Sequence, residues 1–217
     1  MIQSAKELLK KGAAELGIGL TDAQLNSLNL FAEELKKWNR KINLTAITDD
    51  EGIAVKHLVD SLSLLKVVRG PGRLLDIGSG GGFPCIPVKV VQPDLDIVSV
   101  DAVVKKVSFQ KQAVRLLNLA TFTAMHVRAE TLAEQYAESF DWVVSRAFSD
   151  IPSFVAMALP VLKQEGRIVA MKGKNAADEI AAAEGELAKL GARVESVLEF
   201  PLPCSGDARS LVIIAKL

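Results

Sequence analysis

The residues whose types and spacing can do chemistry sit first in one short loop, Asp76-Ile77-Gly78-Ser79-Gly80-Gly81-Gly82-Phe83-Pro84. The loop follows a short apolar run and opens a candidate helix. Its backbone amides can face a ligand, and residues without side chains let that ligand come close. A nucleotide-hydrolase loop needs Lys followed by Ser or Thr after its glycines. Phe83 and Pro84 stand there instead. A dinucleotide fingerprint needs glycines at relative positions one, three and six. Counted from Gly78, the last falls on Phe83; counted from Gly80, it falls on Cys85. Both registers fail. What remains is Asp76, Gly78, Gly80 and Gly82. A carboxylate just before the glycines suits a cationic amino-acid group better than a pyrophosphate. Asp101, at the end of the next apolar run, can take both hydroxyl protons of a ribose diol, or it can cap the helix that follows. An ammonium, a ribose and no phosphate together describe S-adenosylmethionine.

Further candidates lie at the ends of later runs. Arg128-Ala129-Glu130 follows the third. Glu130 there either orders local amides, accepts from an adenine amino group or caps a helix. Arg146, within Ser145-Arg146-Ala147, ends the fourth run. It points into the crevice where open sheets bind ligands, or it pairs with an acid on the surface. Lys172 and Lys174 flank Gly173 after the fifth run, and Arg209 lies in the C-terminal loop. The two cysteines, Cys85 and Cys204, make neither a disulfide framework nor a structural zinc site. The only histidines, His57 and His126, each have a structural reading. No metal-ligand constellation stands out, so no metal is expected.

These residues need a scaffold, and the composition supplies one. Of 217 residues, 49% are hydrophobic and 24% charged, which excludes a disordered or low-complexity chain. Lys plus Arg and Asp plus Glu are 26 each, so any polyanionic partner must be met by a local patch. The N-terminal region carries Lys6, Lys10 and Lys11 without the apolar core of a signal peptide. No apolar run approaches the ~18 residues of a membrane span. A soluble cytoplasmic protein with no membrane partner is expected.

Residues 1–70 read as helices. Thr21 and Gln24 form a capping box ahead of a stripe of Leu25, Leu28, Phe31, Ala32, Leu35 and Trp38. A second helix fits Asp49 to Val67, and Gly70-Pro71-Gly72 ends the region. The period then changes. Short apolar runs at 74–77, 97–100, 122–127, 142–145, 167–171, 194–200 and 211–215 alternate, up to the sixth, with candidate helices at 84–91, 103–118, 131–137, 150–162 and 176–190. Such alternation predicts an α/β fold, a doubly wound, mainly parallel, seven-stranded sheet. The last two runs can pair as a hairpin, which would place one antiparallel strand in the sheet. The expected organisation is an N-terminal helical cap, 1–70, packed on a core, 71–217.

At this resolution of detail the chain resembles a known family, the bacterial 16S ribosomal RNA guanine-N7 methyltransferases also called glucose-inhibited division protein B. The matching pieces are Asn43-Leu44-Thr45-Ala46, His57 with Asp60-Ser61, Asp76 to Gly80, Gly82-Phe83-Pro84, Ile86-Pro87, Asp101, Lys105-Lys106, Phe109, Arg128-Ala129-Glu130, Phe140-Asp141, Ser145-Arg146-Ala147, Lys172-Gly173 and Arg209 with Leu211-Val212. The glycine loop alone indicates only the class I S-adenosylmethionine-dependent methyltransferase fold; the cap motifs and the serine-arginine-alanine piece narrow it. The resemblance implies S-adenosylmethionine as cofactor, with Gly78, Phe83, Ala129, Glu130 and Arg146 touching it. It implies methyl transfer to N7 of guanine 527, in the small ribosomal subunit or a late precursor. A monomer is expected. Three departures stand out: Cys85 for a usual Gly, Gln110 for a usual apolar residue, and Ala102 for a common Ser.

That reaction fits the lack of an evident general base, because guanine N7 has a free lone pair and no proton to lose. Alignment and electrostatics suffice. The RNA footprint must be local. Lys36, Lys37, Arg40 and Lys41 cluster at the end of the front helix, partly offset by Glu33 and Glu34; Lys105 and Lys106 begin a second cluster. Lys172 and Arg209 are expected to position substrate. His57 is a further RNA candidate, and Phe148 either stacks on the extruded base or packs in the core. Competing readings are a methyltransferase for another substrate, a nicotinamide-dependent oxidoreductase and a non-catalytic ribosome-binding module.

Overall fold

The structure is a computed structural model and describes every residue except Ala147 and Ser149. Its helical front starts with α1 (Gln3–Glu15) and α2 (Asp22–Ile42). The Thr21–Gln24 capping box forms as expected, and Asn43, in the left-handed region at φ 47°, ends α2. One continuous helical stretch follows, and it changes pitch three times. It runs as α3 (Asp50–Gly52), a π-helix (Ile53–Val59), α4 (Asp60–Leu62) and a 3₁₀ turn (Ser63–Lys66). A single regular helix was the expectation for this stretch. Two serine hydroxyls bond backward along it, Ser61 Oγ to the His57 carbonyl in the π segment and Ser63 Oγ to the Asp60 carbonyl at the 3₁₀ turn, both at 2.6 Å, and such bonds compete with the regular helical ladder. The stretch is buried on nearly every side. Gly12 of α1 comes so close that a Cβ there would lie 2.7 Å from Val59 Cγ2.

The chain then alternates through β1 (Gly72–Ile77), α5 (Cys85–Val91), β2 (Leu95–Asp101), α6 (Val104–Leu116), β3 (Phe122–His126), α7 (Ala133–Tyr136), β4 (Phe140–Ser145), α8 (Ile151–Ala158), β5 (Leu162–Lys172), α9 (Ala176–Lys189), β6 (Ala192–Pro201) and β7 (Ala208–Lys216). All seven expected runs are strands. The sheet order is β3-β2-β1-β4-β5-β7-β6. β1 to β5 are parallel, and β7 lies antiparallel between β5 and β6, as the hairpin reading anticipated. The 131–137 segment is shorter than expected, a 3₁₀ turn at Ala129–Thr131 followed by one turn of α7.

From β1 the chain winds outward through β2 and β3, then returns to β4 on the other side of β1. This reversal opens a crevice at the C-terminal strand ends, where doubly wound sheets bind ligands. The cap reaches that edge through aromatic packing. Phe31 of α2 meets Phe83 edge-on, ring centroids 5.3 Å apart, and lies 6.0 Å from Phe109; Trp38 lies 5.8 Å from Phe109. One hydrophobic cluster therefore includes Leu9, Phe31 and Leu58 of the cap with Phe83, Ile86 and Phe109 of the sheet layer.

Candidate functional site

The glycine loop turns back at the top of β1 through two of its amides: Gly78 and Ser79 donate to the Val100 carbonyl at 2.9 and 3.2 Å. Gly82 has φ +78°, and a Cβ there would sit 2.4 Å from Ile86 Cδ1, so both backbone strain and the wall of α5 require glycine. Gly80, at φ +56°, is held at both backbone groups. Its N–H donates to Asp101 Oδ2 and its carbonyl accepts from Gln110 Nε2, each at 2.9 Å. Asp101 Oδ1 accepts from the Val103 N–H at 2.8 Å. Val103, not Asp101, is the N-cap of α6, and Asp101 instead braces the glycine loop.

Beside this brace lies a cleft of about 450 Å³ whose lining includes Gly78, Asp101, Ala129, Glu130 and Phe148. Ile77, Val100, Val127 and Met157 complete an apolar wall. Glu130 is exposed on its 3₁₀ turn; Phe148 stacks on Phe154 at 5.3 Å while its residue still reaches the cleft. A slot with apolar sides and carboxylates at its rim suits an adenosine.

Asp76, Gly82 and Phe83 lie beneath the loop and are buried. Asp76 Oδ2 accepts from the Cys85 N–H at 3.3 Å, and Oδ1 has no hydrogen-bond partner among the described residues. Burial pushes this carboxyl up to about 7, against hydrogen bonds from Cys85 and Ser79 that favour the charged form. An orphan buried acceptor of this kind suits a cationic group nearby. The Cys85 thiol is held well above its ordinary value by burial, so it is no nucleophile. The peptide bond between Phe83 and Pro84 is cis.

A second cleft, about 310 Å³, opens at the ends of β4 and β5 and is lined by Lys56, Asp60, Arg146, Lys172 and Arg209, with Ile47 at one side. Asp60 of the cap is its hub. Asp60 Oδ2 accepts from Arg146 Nη1 at 3.2 Å and Oδ1 from Arg209 Nε at 2.6 Å. Asp60 is 4% exposed, whereas the two arginine side chains keep 24% and 23% of their surface. One buried carboxylate thus holds two guanidiniums that still face solvent, leaving a net positive rim. Lys172 differs. It is buried, donates to the Phe148 carbonyl at 2.7 Å and lies 2.6 Å from Glu179 Oε2, at an angle that makes a charge contact rather than a directed bond. Its charge is matched before any substrate arrives.

His57 ties the glycine loop to Arg146 of the second cleft. Its ring stacks on Phe83 at 4.5 Å and 19°, and the Arg146 guanidinium lies over the same Phe83 ring at 5.2 Å. Arg146 Nη2 lies 3.3 Å from His57 Nδ1, and a guanidinium can only donate. Nδ1 is therefore the acceptor, and Nε2 carries the proton, donated to Thr45 Oγ1 at 2.6 Å. Burial, with Arg146 beside it, pulls the imidazole down to about 4. His57 is a neutral, fixed element of the wall.

The basic clusters resolve unequally. Lys36 Nζ is 2.6 Å from Asp50 and 3.1 Å from Glu33, and Lys37 is 3.4 Å from Glu34. Arg40 and Lys41 are exposed and make no ion pair among the described residues. Lys105 is exposed, as is Lys174, while Lys106 lies 3.9 Å from Asp101. Ala147 of the serine-arginine-alanine piece lies outside the described residues. Sequence reasoning did not single out Asp60 or Gln110 as site residues. Each carries a legible signal, a polar side chain on the inward face of an apolar helix: Asp60 beside Leu58 and Leu62, Gln110 one turn from Val107 and Ala113. Among the described residues no helix is long and apolar enough to cross a membrane, and no group of three or more His, Cys, Asp and Glu is arranged to hold a metal ion.

Comparison with solved structures supports the fold. A SAM dependent methyltransferase from Aquifex aeolicus superposes with a TM-score of 0.60 at 16% identity, over 84% of this chain and 97% of that one. The ribosomal protein L11 methylase of Lactobacillus delbrueckii subsp. bulgaricus gives 0.55 at 16% identity, over 79% and 81%. Sequence comparison goes further. The chain is 81% identical to ribosomal RNA small subunit methyltransferase G of Geobacter sp. strain M21 over the whole of both chains. It is 60% identical to the protein of the same name from Geotalea uraniireducens strain Rf4, over 100% of this chain and 99% of that one. The family model for GidB, rRNA small subunit methyltransferase G, matches residues 24–209. This chain belongs to that family.

Proposed function

We propose that the chain transfers a methyl group from S-adenosylmethionine to N7 of guanine 527 in 16S ribosomal RNA. It acts on the small ribosomal subunit or a late precursor, as a monomer in the cytoplasm. One observation carries the reading: a cleft lined by Gly78 and Asp101 is linked, through the Lys172–Phe148 hydrogen bond, to a second cleft rimmed by Arg146 and Arg209. The first suits the donor and the second a polyanion.

When bound, S-adenosylmethionine would supply a methyl group activated on a sulfonium, with a thioether as the leaving group for attack by the N7 lone pair. The chain's own residues bind and align. Asp101 keeps free lone pairs on both carboxylate oxygens for a ribose diol, while its existing bonds fix its direction. Gly78, Ala129 and Glu130 line the adenosine slot, and Asp76, with its unpartnered oxygen, favours the ammonium end. Phe83 supports Arg146 from below. Arg146 and Arg209 meet RNA phosphate; Lys172, paired to Glu179, holds the Phe148 carbonyl in place, and the exposed Lys105 adds positive charge on α6 beside the donor cleft. The extruded guanine needs no base. His57 Nδ1 already faces a guanidinium and Asp60 already holds two, so neither is set to take a proton. The cap, residues 1–70, is part of the site because it contributes Asp60 and His57.

The test is methyl transfer from labelled S-adenosylmethionine to small subunits from a strain lacking this methyl group, with the modified base mapped. N7-methylguanine at position 527 is the expected product. A methyl group elsewhere keeps the donor and overturns the target. Donor binding without transfer to mature or precursor particles overturns the enzyme reading.

A further inference from the structure

The helical front contains a cavity of about 490 Å³ that neither cleft uses. It lies between the last turns of α2 and the loop carrying Asn43-Leu44-Thr45-Ala46, and Ile47 and Ile53 contribute to its apolar lining with Leu35. The cavity is preformed. Asn39 Nδ2 donates to the Thr45 carbonyl and Asn39 Oδ1 accepts from the Thr45 N–H, both at 2.9 Å. The Thr45 hydroxyl in turn accepts from the Ile47 N–H at 3.0 Å and from His57. The loop is therefore anchored to the wall of the arginine cleft, and Ile47 lines both spaces.

The rim is cationic. Lys36 is matched by Asp50 and Glu33, but Arg40 lines the cavity exposed, and Lys41 follows it exposed. The Asn43 side chain makes no hydrogen bond among the described residues and offers both donor and acceptor. A volume within the ~300–1,000 Å³ of small-ligand sites, an apolar floor, an open amide and, among the described residues, the unmatched Arg40 at the mouth describe a receptor for one unstacked nucleotide. We infer that this cavity receives a second unpaired nucleotide of the substrate RNA, a neighbour of the base delivered to the arginine cleft, with Arg40 and Lys41 on its phosphates. The inference rests on the RNA reading above. It gives the Asn43-Leu44-Thr45-Ala46 piece a function: it builds the second pocket while its Thr45 holds His57 against Arg146 of the first.

Steady-state methylation of small subunits tests it. Arg40→Glu reverses the rim charge at an exposed residue, and Ala46→Trp fills the mouth without changing charge. Lys189→Glu, at the far end of α9, controls for charge alone. Arg40→Glu and Ala46→Trp are expected to raise KM for subunits at least tenfold and leave S-adenosylmethionine affinity, measured by calorimetry, unchanged. Arg40→Glu also makes the salt dependence of subunit binding shallower, by about 0.7 in log–log slope per lost single-strand phosphate contact. KM within twofold of wild type for both, or an equal rise in Lys189→Glu, overturns the pocket while the function stands. Because Arg40 is exposed, its variant tests the inference even if Ala46→Trp does not fold. An inactive wild type overturns the RNA reading first, and the pocket with it.

Discussion

Gln110 donates through its side-chain amide to the Gly80 carbonyl at 2.9 Å, joining the middle of α6 to the centre of the glycine loop. The same side chain, fully buried, accepts from Ser99 Oγ at 2.5 Å through its Oε1. Gly80 is thereby clamped on one side by Gln110 and on the other by Asp101. The loop's geometry is set by side chains from both β2 and the helix after it. A residue that looked like a polar intrusion in an apolar helix face is the strut of the donor site.

Gln110→Leu is therefore expected to do two separable things. It orphans the buried Ser99 hydroxyl, which costs about 1–3 kcal/mol, and it releases the Gly80 carbonyl. Chemical denaturation should show the stability loss and calorimetry a several-fold weaker affinity for S-adenosylmethionine. Adding Ser99→Ala should recover stability but not affinity, because the loop stays untied. Recovery of both together would show that the strut acts only through packing.

Asp101→Ala removes two charge-assisted acceptors, those for Gly80 N–H and Val103 N–H. Bonds of this type contribute about 1.5–3 kcal/mol each. Their loss should lower both donor affinity and folding stability. Asp101→Asn keeps one oxygen and should fall between. A variant that loses affinity at full stability would mean that Asp101 acts on the ligand alone.

Much of this architecture is readable from the chain because the signals are local. The switch from helical to strand periodicity after Gly70-Pro71-Gly72, the glycines at alternate positions and the carboxylate ending β2 all lie in short windows. The remainder depends on partners distant in sequence. Lys36 and Lys172 read as available cations until Asp50 and Glu179 come within 2.6 Å. The pitch changes of the cap helix are hidden because the backward bonds of the Ser61 and Ser63 hydroxyls leave no mark on the apolar periodicity. Asp60 matters through Arg146 and Arg209, 86 and 149 residues away.

Asp60→Asn tests that hub. The substitution preserves shape but leaves two guanidiniums facing one neutral amide. Breaking a buried pair costs about 3–5 kcal/mol; the arginines retain water on one side, which reduces the expected loss to about 1–3 kcal/mol. Turnover on small subunits should fall at least tenfold, while donor affinity changes less, since Asp60 lines the substrate cleft. The comparison is made at a temperature where the variant is fully folded.

His57 and Asp76 should give the free protein opposing pH responses. The Asp76 carboxyl titrates near 7 when folded and near its ordinary 3.8 when unfolded. Between those values the folded state binds more protons, so its contribution to stability falls as pH rises. The His57 imidazole titrates near 4 when folded and 6.5 when unfolded. Between those values the folded state binds fewer protons, so its contribution rises with pH. The two nearly cancel from about pH 4 to 6.5. Single variants should unmask them. Relative to wild type, Asp76→Asn should gain up to about 4 kcal/mol from pH 4 to 7, and His57→Gln should lose up to about 3 kcal/mol from pH 4 to 6.5. Urea denaturation at intervals across that range measures both. Any constant offset from lost packing against Phe83 drops out, because only the change with pH is read. Parallel curves for wild type and both variants would remove titration of this pair from the protein's stability. Slopes of the stated signs would show that a buried acid and a buried imidazole, both within reach of Arg146, balance each other at the floor of the site.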